Sequence, residues 1–211
     1  MIVPDLPPLD DLPTELLIRL ARRDPDRYLV VLHDRPTRDV LRQALALTGS
    51  PDPTRREIGV RILRELGPAQ PDGSRPFSPE TVPVLRALLA TEFDPGVLGW
   101  TVSALGYHSA REALPDVLTC SDHSDAGVRF SVTAALPSLV DPAGVEPAAT
   151  TALIALAQDE DSDIRFYALY ALTREVTAPD PVALATLARC LLTDPDPQVR
   201  EMAAEHSRRS P

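Results

Sequence analysis

The chain has 211 residues, room for one large domain or two small ones, and 44% are apolar while only 4% are aromatic. Its 31 acidic residues outnumber 21 cationic ones for a net charge of −10, so a polyanion is repelled on average and any nucleic-acid site must be local. No basic-then-apolar leader pattern and no run approaching 18 apolar residues occurs, so neither a signal peptide nor a membrane span is expected and a cytoplasmic location is.

Every cation is Arg, and the chain has neither Lys nor Asn. Residues 1–70 hold 11 acidic residues and 11 Arg, whereas residues 71–211 hold 20 acidic residues and 10 Arg, so the whole excess lies in the second part. Ala and Leu dominate the apolar set, and both are strong helix formers. No segment alternates polar and apolar residues long enough to argue a sheet. The chain is expected to be all-α.

Proline marks where helices begin. Asp24-Pro25, Asp52-Pro53, Ser78-Pro79, Asp94-Pro95, Asp180-Pro181 and Asp196-Pro197 each combine a capping side chain with a Pro in the first turn. The cap accepts from free amides of that turn, and Pro lacks only an amide with no intrahelical partner. Residues 11–33 read as one or two imperfect helices, and residues 1–36 as an amino-terminal cap. Residues 37–211 read as one continuous array, interrupted by a Pro/Gly/Ser-rich break at 67–79. A helix at 37–48 precedes a weak copy that starts at Asp52 and continues through Ile58, Gly59, Ile62 and Leu63. Apolar helices at 79–91, 111–119, 145–158 and 180–192 then alternate with a second set.

That second set repeats. Asp94-Pro-Gly-Val97-Leu98, Asp125-Ala-Gly-Val128-Arg129, Asp161-Ser-Asp-Ile164-Arg165 and Asp196-Pro-Gln-Val199-Arg200 align, with anchors Val97, Val128, Ile164 and Val199 spaced 31, 36 and 35 residues apart. The period suits a two-helix unit stacked in a line. The pattern Asp-x-x-Val-Arg-x-x-Ala-x-x-Ala-Leu resembles the HEAT repeat family, in particular its short bacterial form known as PBS-lyase-like. The resemblance runs over about 37–209 and is strongest over 122–205. It implies a HEAT-like α-α superhelix, a right-handed solenoid of about five to six antiparallel helix pairs. It also implies a structural ladder in which a turn Asp pairs with the Arg of the second helix. The matching positions are Asp159 with Arg165 and Asp194 with Arg200, with Asp122 or Asp125 for Arg129. Leu98 stands where the Arg belongs, so the ladder is expected to break there.

In such stacks the second helices line the concave face. Positions outside their core stripe hold Trp100, Phe130, Phe166, Tyr167, Tyr170 and Met202. Rigid aromatics anchor binding hot spots, so these six are the candidate partner-binding residues, with Tyr107 and His108 at the rim. The alternative is that the rings fill space between repeats. Asp159, Glu160, Asp161 and Asp163 form an acidic turn suited to steering a basic partner segment, and they lack the spacing of a calcium loop. The cysteines, Cys120 and Cys190, read as core filler.

No motif advertises catalysis. His33, His108, His123 and His206 form no metal-ligand spacing, and no phosphate loop or nucleophile elbow occurs. No cofactor, metal or catalytic residue is therefore expected, and binding is favoured over enzyme activity. Two family-level alternatives remain: a DNA glycosylase-like enzyme using Trp100, Tyr167 and Arg38, Arg42, Arg55, Arg56, Arg61 and Arg64, or a bilin lyase or chaperone. The negative excess on the regular repeats opposes the first. The reading carried forward is a protein-interaction module, a scaffold or adaptor.

Overall fold

The computed structural model describes residues 8–141, 144–176 and 181–209. Among them twelve α-helices form six pairs: α1 (Thr14–Ala21) with α2 (Pro25–His33), α3 (Arg38–Thr48) with α4 (Pro53–Glu65), α5 (Ser78–Leu89) with α6 (Pro95–Tyr107), α7 (Leu114–Leu118) with α8 (Ala126–Leu139), α9 (Pro147–Leu156) with α10 (Ser162–Arg174), and α11 (Pro181–Leu191) with α12 (Pro197–Arg209). Each second helix packs on the next, α2 on α4, α4 on α6, α6 on α8, α8 on α10 and α10 on α12. The first helices from α1 to α9 stack likewise behind them. The chain is a HEAT/armadillo-like α-solenoid. One apolar core runs its length, with the anchors Val97, Val128, Ile164 and Val199 at most 1% exposed.

Capping explains the repeated helix starts. Asp24, Asp52, Asp94, Asp125 and Asp161 each accept a first-turn amide at the start of α2, α4, α6, α8 and α10, and Asp196 does so for α12 through the amides of Gln198 and Val199. Asp180 lies outside the described residues. Ser78 does not cap. Helix α5 has no side-chain cap, because the Ser78 hydroxyl is engaged by the Arg75 amide and His108 Nδ1. Cys120 is buried, but Cys190 is exposed, correcting its reading as core filler.

The ladder is built between repeats. Arg129 points Nε and Nη2 at the two oxygens of Asp159, 2.7 and 2.9 Å away. Arg165 does the same to Asp194 at 2.8 Å each, and Arg56 to Glu92 at 2.6 and 2.8 Å. In every case Nη1 turns back to two carbonyls in its own turn: Ser50 and Pro51 for Arg56, His123 and Ser124 for Arg129, Asp159 and Glu160 for Arg165. Arg200 binds the carbonyls of Asp194 and Pro195 in the same way. Asp159 therefore meets Arg165, and Asp194 meets Arg200, through backbone oxygen, while each carboxylate reaches back one repeat. Asp125 is occupied with the Val128 amide. Arg56, not foreseen as a ladder residue, sits four residues after Asp52, the same offset as Arg129 from Asp125.

One rung is replaced on both sides. Leu98 is buried in the Arg position, and His123 stands two residues before the cap, where Glu92, Asp159 and Asp194 stand in the other turns. His123 Nδ1 accepts from the Asp125 amide at 3.0 Å, as Asp159 Oδ1 accepts from Asp161 and Asp194 Oδ1 from Asp196. With no Arg to neutralise it, a carboxylate here would be an unpaired half-buried charge, and an imidazole nitrogen supplies the same acceptor in its place.

Two histidines grip α4 from either side. His33 Nε2 lies 2.9 Å from the Arg61 carbonyl, and His108 Nε2 lies 2.9 Å from the Leu63 carbonyl. A carbonyl only accepts, so each Nε2 carries its proton. Nδ1 of neutral His108 then accepts from Ser78, 2.7 Å away. Burial holds both imidazoles below the ordinary value of 6.5.

Two outcomes follow. A lowered folded pKa means that the stability contributed by these histidines is complete above the unfolded value of 6.5 and is lost as pH falls through the folded values. Thermal melts should therefore show Tm falling between about pH 7 and 5, and a His33→Gln/His108→Gln protein should lose most of that fall. The carboxylates of Asp159 and Asp194, held low by Arg129 and Arg165, act only as pH falls through and below their ordinary 3.8. For the ladder, Arg165→Ala strands a buried Asp194 and should cost about 3–5 kcal/mol in urea unfolding. The pair Arg165→Leu/Asp194→His, which copies Leu98 and His123, should cost less than that single change; an equal or larger loss would refute the pairing account.

Candidate functional site: a groove between the third and fourth repeats

The groove lies on the second-helix face between α6 and α8 and encloses about 930 Å³. Its floor is made of small residues, which let the helices approach closely. A Cβ at Gly106 would stand 3.0 Å from the Ala135 Cβ, and one at Gly99 would stand 3.1 Å from the Ser131 Oγ. Both contacts are tighter than side chains ordinarily make, so glycine fits these positions. Trp100, Tyr107 and Phe130 form the walls.

The third wall comes from the 67–77 loop. Gly67 and Gly73 adopt φ of +81° and +83°, a region that other residues enter only at a steric cost. The loop is tied down by the Gly67 amide on the His33 carbonyl at 2.9 Å and by Arg75 Nη1 on the carbonyls of Glu65 and Gly67. It thereby holds Ala69, Gly73 and Arg75 against the groove. The proline-rich break in the sequence is thus an ordered wall.

Guanidinium groups lie over the rings. The Arg61 carbon is 4.5 Å from the Trp100 ring centre, and that of Arg64 is 3.4 Å from Tyr107 and 5.5 Å from Trp100. Arg75 lies 5.6 Å from Tyr107. Such stacking fixes ring orientation and is worth about 0.5–2 kcal/mol. Arg64 also donates from Nε to the Ser103 hydroxyl at 2.9 Å and pairs with Glu65. The groove is electrically bipolar, with Arg64 in the last turn of α4 and Arg75 on the loop that follows it at one end, and Asp125 at the amino-terminal end of α8 at the other.

Of the six candidate partner-binding residues, Trp100 and Phe130 line this groove. Tyr167 packs edge-on against both Phe130 and Phe166, with ring centres 5.3 and 5.5 Å apart, and so extends the aromatic surface onto α10. Trp100, Phe130, Phe166 and Met202 are half-buried against the core, whereas Tyr167 and Tyr170 are 45% and 39% exposed. Tyr170 and Met202 lie further along the face, outside the groove lining. Tyr107 is a wall, but His108 is 3% exposed and belongs to the core, which corrects its reading as a rim residue.

The arginines set apart in the sequence do not make one strip. Arg38 pairs with Glu80, Arg42 with Asp39, Arg56 with Glu92, Arg61 with Glu57 and Arg64 with Glu65, while Arg55 is exposed. Only Arg64 of this set lines the groove. Of the acidic turn, Asp159 serves the ladder and Asp161 the cap, leaving Asp163 exposed and the Glu160 side chain 86% exposed. No group of three metal-ligating side chains stands together among the described residues, and no helix there is long and apolar enough to cross a membrane.

Residues 143–207 match the family model for HEAT repeats. That stretch carries HEAT repeats. No curated protein sequence matches it, but solved structures share its fold. Escherichia coli YibA is 17% identical with a TM-score of 0.74, over 94% of this chain and 71% of that one. The complex of CpcE and CpcF of phycocyanin lyase from Nostoc sp. PCC7120 is 20% identical with a TM-score of 0.57, covering 80% and 98%. A designed armadillo repeat protein in complex with the peptide (KR)4 is 12% identical with a TM-score of 0.61, covering 92% and 97%. At these identities the likeness is one of fold.

Proposed function

We propose that this HEAT-repeat chain is a protein-interaction module that takes an extended partner segment across the groove between α6 and α8. The observation that carries the reading is a preformed cleft with half-exposed Trp100, Tyr107 and Phe130 around a Gly, Ser and Ala floor. Large rigid rings beside a floor of small side chains form the kind of pocket that an apolar anchor fills, and ring orientation is already fixed by Arg61 and Arg64 before binding. Tyr167 and Phe166 would continue contact beyond the groove, followed by Tyr170 and Met202 on the same face. Basic residues of the partner would meet the acidic edge formed by Asp125, Glu160 and Asp163. This reading is supported by the designed armadillo repeat protein of similar fold, which is in complex with the basic peptide (KR)4.

Trp100 is the only tryptophan in the chain, so tryptophan emission reports on this one wall of the groove. Selection of a displayed random peptide library on the full chain should yield peptides that shift Trp100 emission on binding. Phe130→Ala or Ser131→Leu, which remove a wall or fill the floor, should weaken them at least tenfold, a loss of about 1.4 kcal/mol or more, with helical circular dichroism unchanged. Selection of no peptide, or of peptides indifferent to both changes, would sink the proposal.

A further inference from the structure

The ladder arginines supply an internal standard for an unfinished site. In Arg56, Arg129 and Arg165, Nη1 binds two carbonyls of a turn and the Nε–Nη2 edge holds a carboxylate. Arg75 repeats the first half of this arrangement, with Nη1 on the carbonyls of Glu65 and Gly67. The second half is missing. Among the described residues Arg75 forms no ion pair, and its Nε is shut from solvent with no hydrogen-bond partner. Arg200 also lacks a carboxylate among the described residues, but it is exposed to solvent, whereas the Arg75 Nε is not.

The surroundings make an anion the missing component. Arg75 and Arg64 both lie over the Tyr107 ring and repel each other, and the nearby Glu65 carboxylate is taken by Arg64. Burial and the Arg64 charge both depress the Arg75 pKa, while Glu65 acts in the opposite sense. A guanidinium held charged in a half-buried position without a counter-ion is costly, and a planar carboxylate matches its fork.

We propose that the Arg75 corner of the groove, with Arg64 and Tyr107, is an acceptor subsite for a carboxylate of the bound segment, supplied by an Asp or Glu side chain or by a chain terminus. This rests on the groove being the partner site. The carboxylate enters along Tyr107 and is taken first by Arg75 Nη2. A turn of the guanidinium then brings in Nε, completing the rung as Asp159 completes that of Arg129. With Asp125 at the other end, the subsite gives the segment a direction: acidic end toward the 67–77 loop, basic end toward the start of α8.

The test uses peptides selected on the full chain and their neutral twins. Each acidic position is changed singly, Asp→Asn or Glu→Gln, and a free carboxy terminus is exchanged for an amide. On the wild-type chain one twin should bind at least tenfold more weakly, which identifies the source of the carboxylate. On Arg75→Gln the twins should differ less than twofold. Arg75→Lys keeps the charge and a donor to the Glu65 and Gly67 carbonyls but lacks the fork, so it should also lose most of the discrimination if Arg75→Gln fails to fold. Selected peptides that bind equally with and without their carboxylates would overturn this subsite and leave the groove standing. Undiminished discrimination in either Arg75 variant would do the same. Selection of nothing would overturn both.

Discussion

The constraint on which the solenoid depends is a guanidinium that must be satisfied on both sides at once. Each ladder Arg is nearly buried at the start of a second helix, where its charge is tolerated only when all its donors have partners. Its own turn offers two carbonyls, and the next repeat offers a carboxylate that is itself pinned by the amide of the following cap, as Asp159 is by Asp161 and Asp194 by Asp196. One side chain thus joins the turn of its repeat, the turn of the next, and the cap that starts the next second helix. The repeat-to-repeat offset is fixed by this polar bridge as much as by the apolar core.

The groove coincides with the interruption of that bridge. Between α6 and α8 there is no rung, since Leu98 and His123 occupy its two positions, and the helices are joined through Gly99, Gly106, Ser131 and Ala135 instead. Small residues at this junction bring the backbones together and leave a trough above them. Neighbouring junctions carry larger residues at the equivalent places, as with Phe166 and Tyr167 on α10. Loss of the rung and formation of the trough are therefore two consequences of one local change in side-chain size and charge.

Much of the architecture was legible in the sequence because its causes are local. An Asp cap, a β-branched anchor three residues later and an Arg one further on lie within five residues, and periodic recurrence identifies the stack. The partners of the ladder were not legible. Each repeat contains both an Asp and an Arg, and only geometry shows that the carboxylate answers the Arg 29 or 30 residues before it. Ser78 shows the same limit, because a serine before proline reads as a cap until a histidine 30 residues away claims its hydroxyl. Of the site, the aromatic walls were visible as departures from the core stripe. The Gly and Ser floor was not, since small residues in a helix carry no signal until the facing helix is known. Arg75 was hidden for a different reason: it arrives on an irregular loop that shares no period with the repeats.

That loop also resolves an apparent contradiction between the acidic chain and a basic site. The excess of carboxylates belongs to residues 71–211, but several are consumed as caps and ladder partners, and so contribute little free negative field to the concave face. The amino-terminal arginines are consumed in the same way by Glu80, Asp39, Glu92 and Glu57. Net charge therefore describes the surface poorly. What would act on a bound segment is the remainder left exposed after this pairing: Arg75 at one end of the groove, and Asp163 with the solvent-facing sides of Asp125 and Glu160 along the other edge. Because most charges cancel within the fold, these few set the local potential, and their separation across the second helices favours one orientation of a polar segment over its reverse.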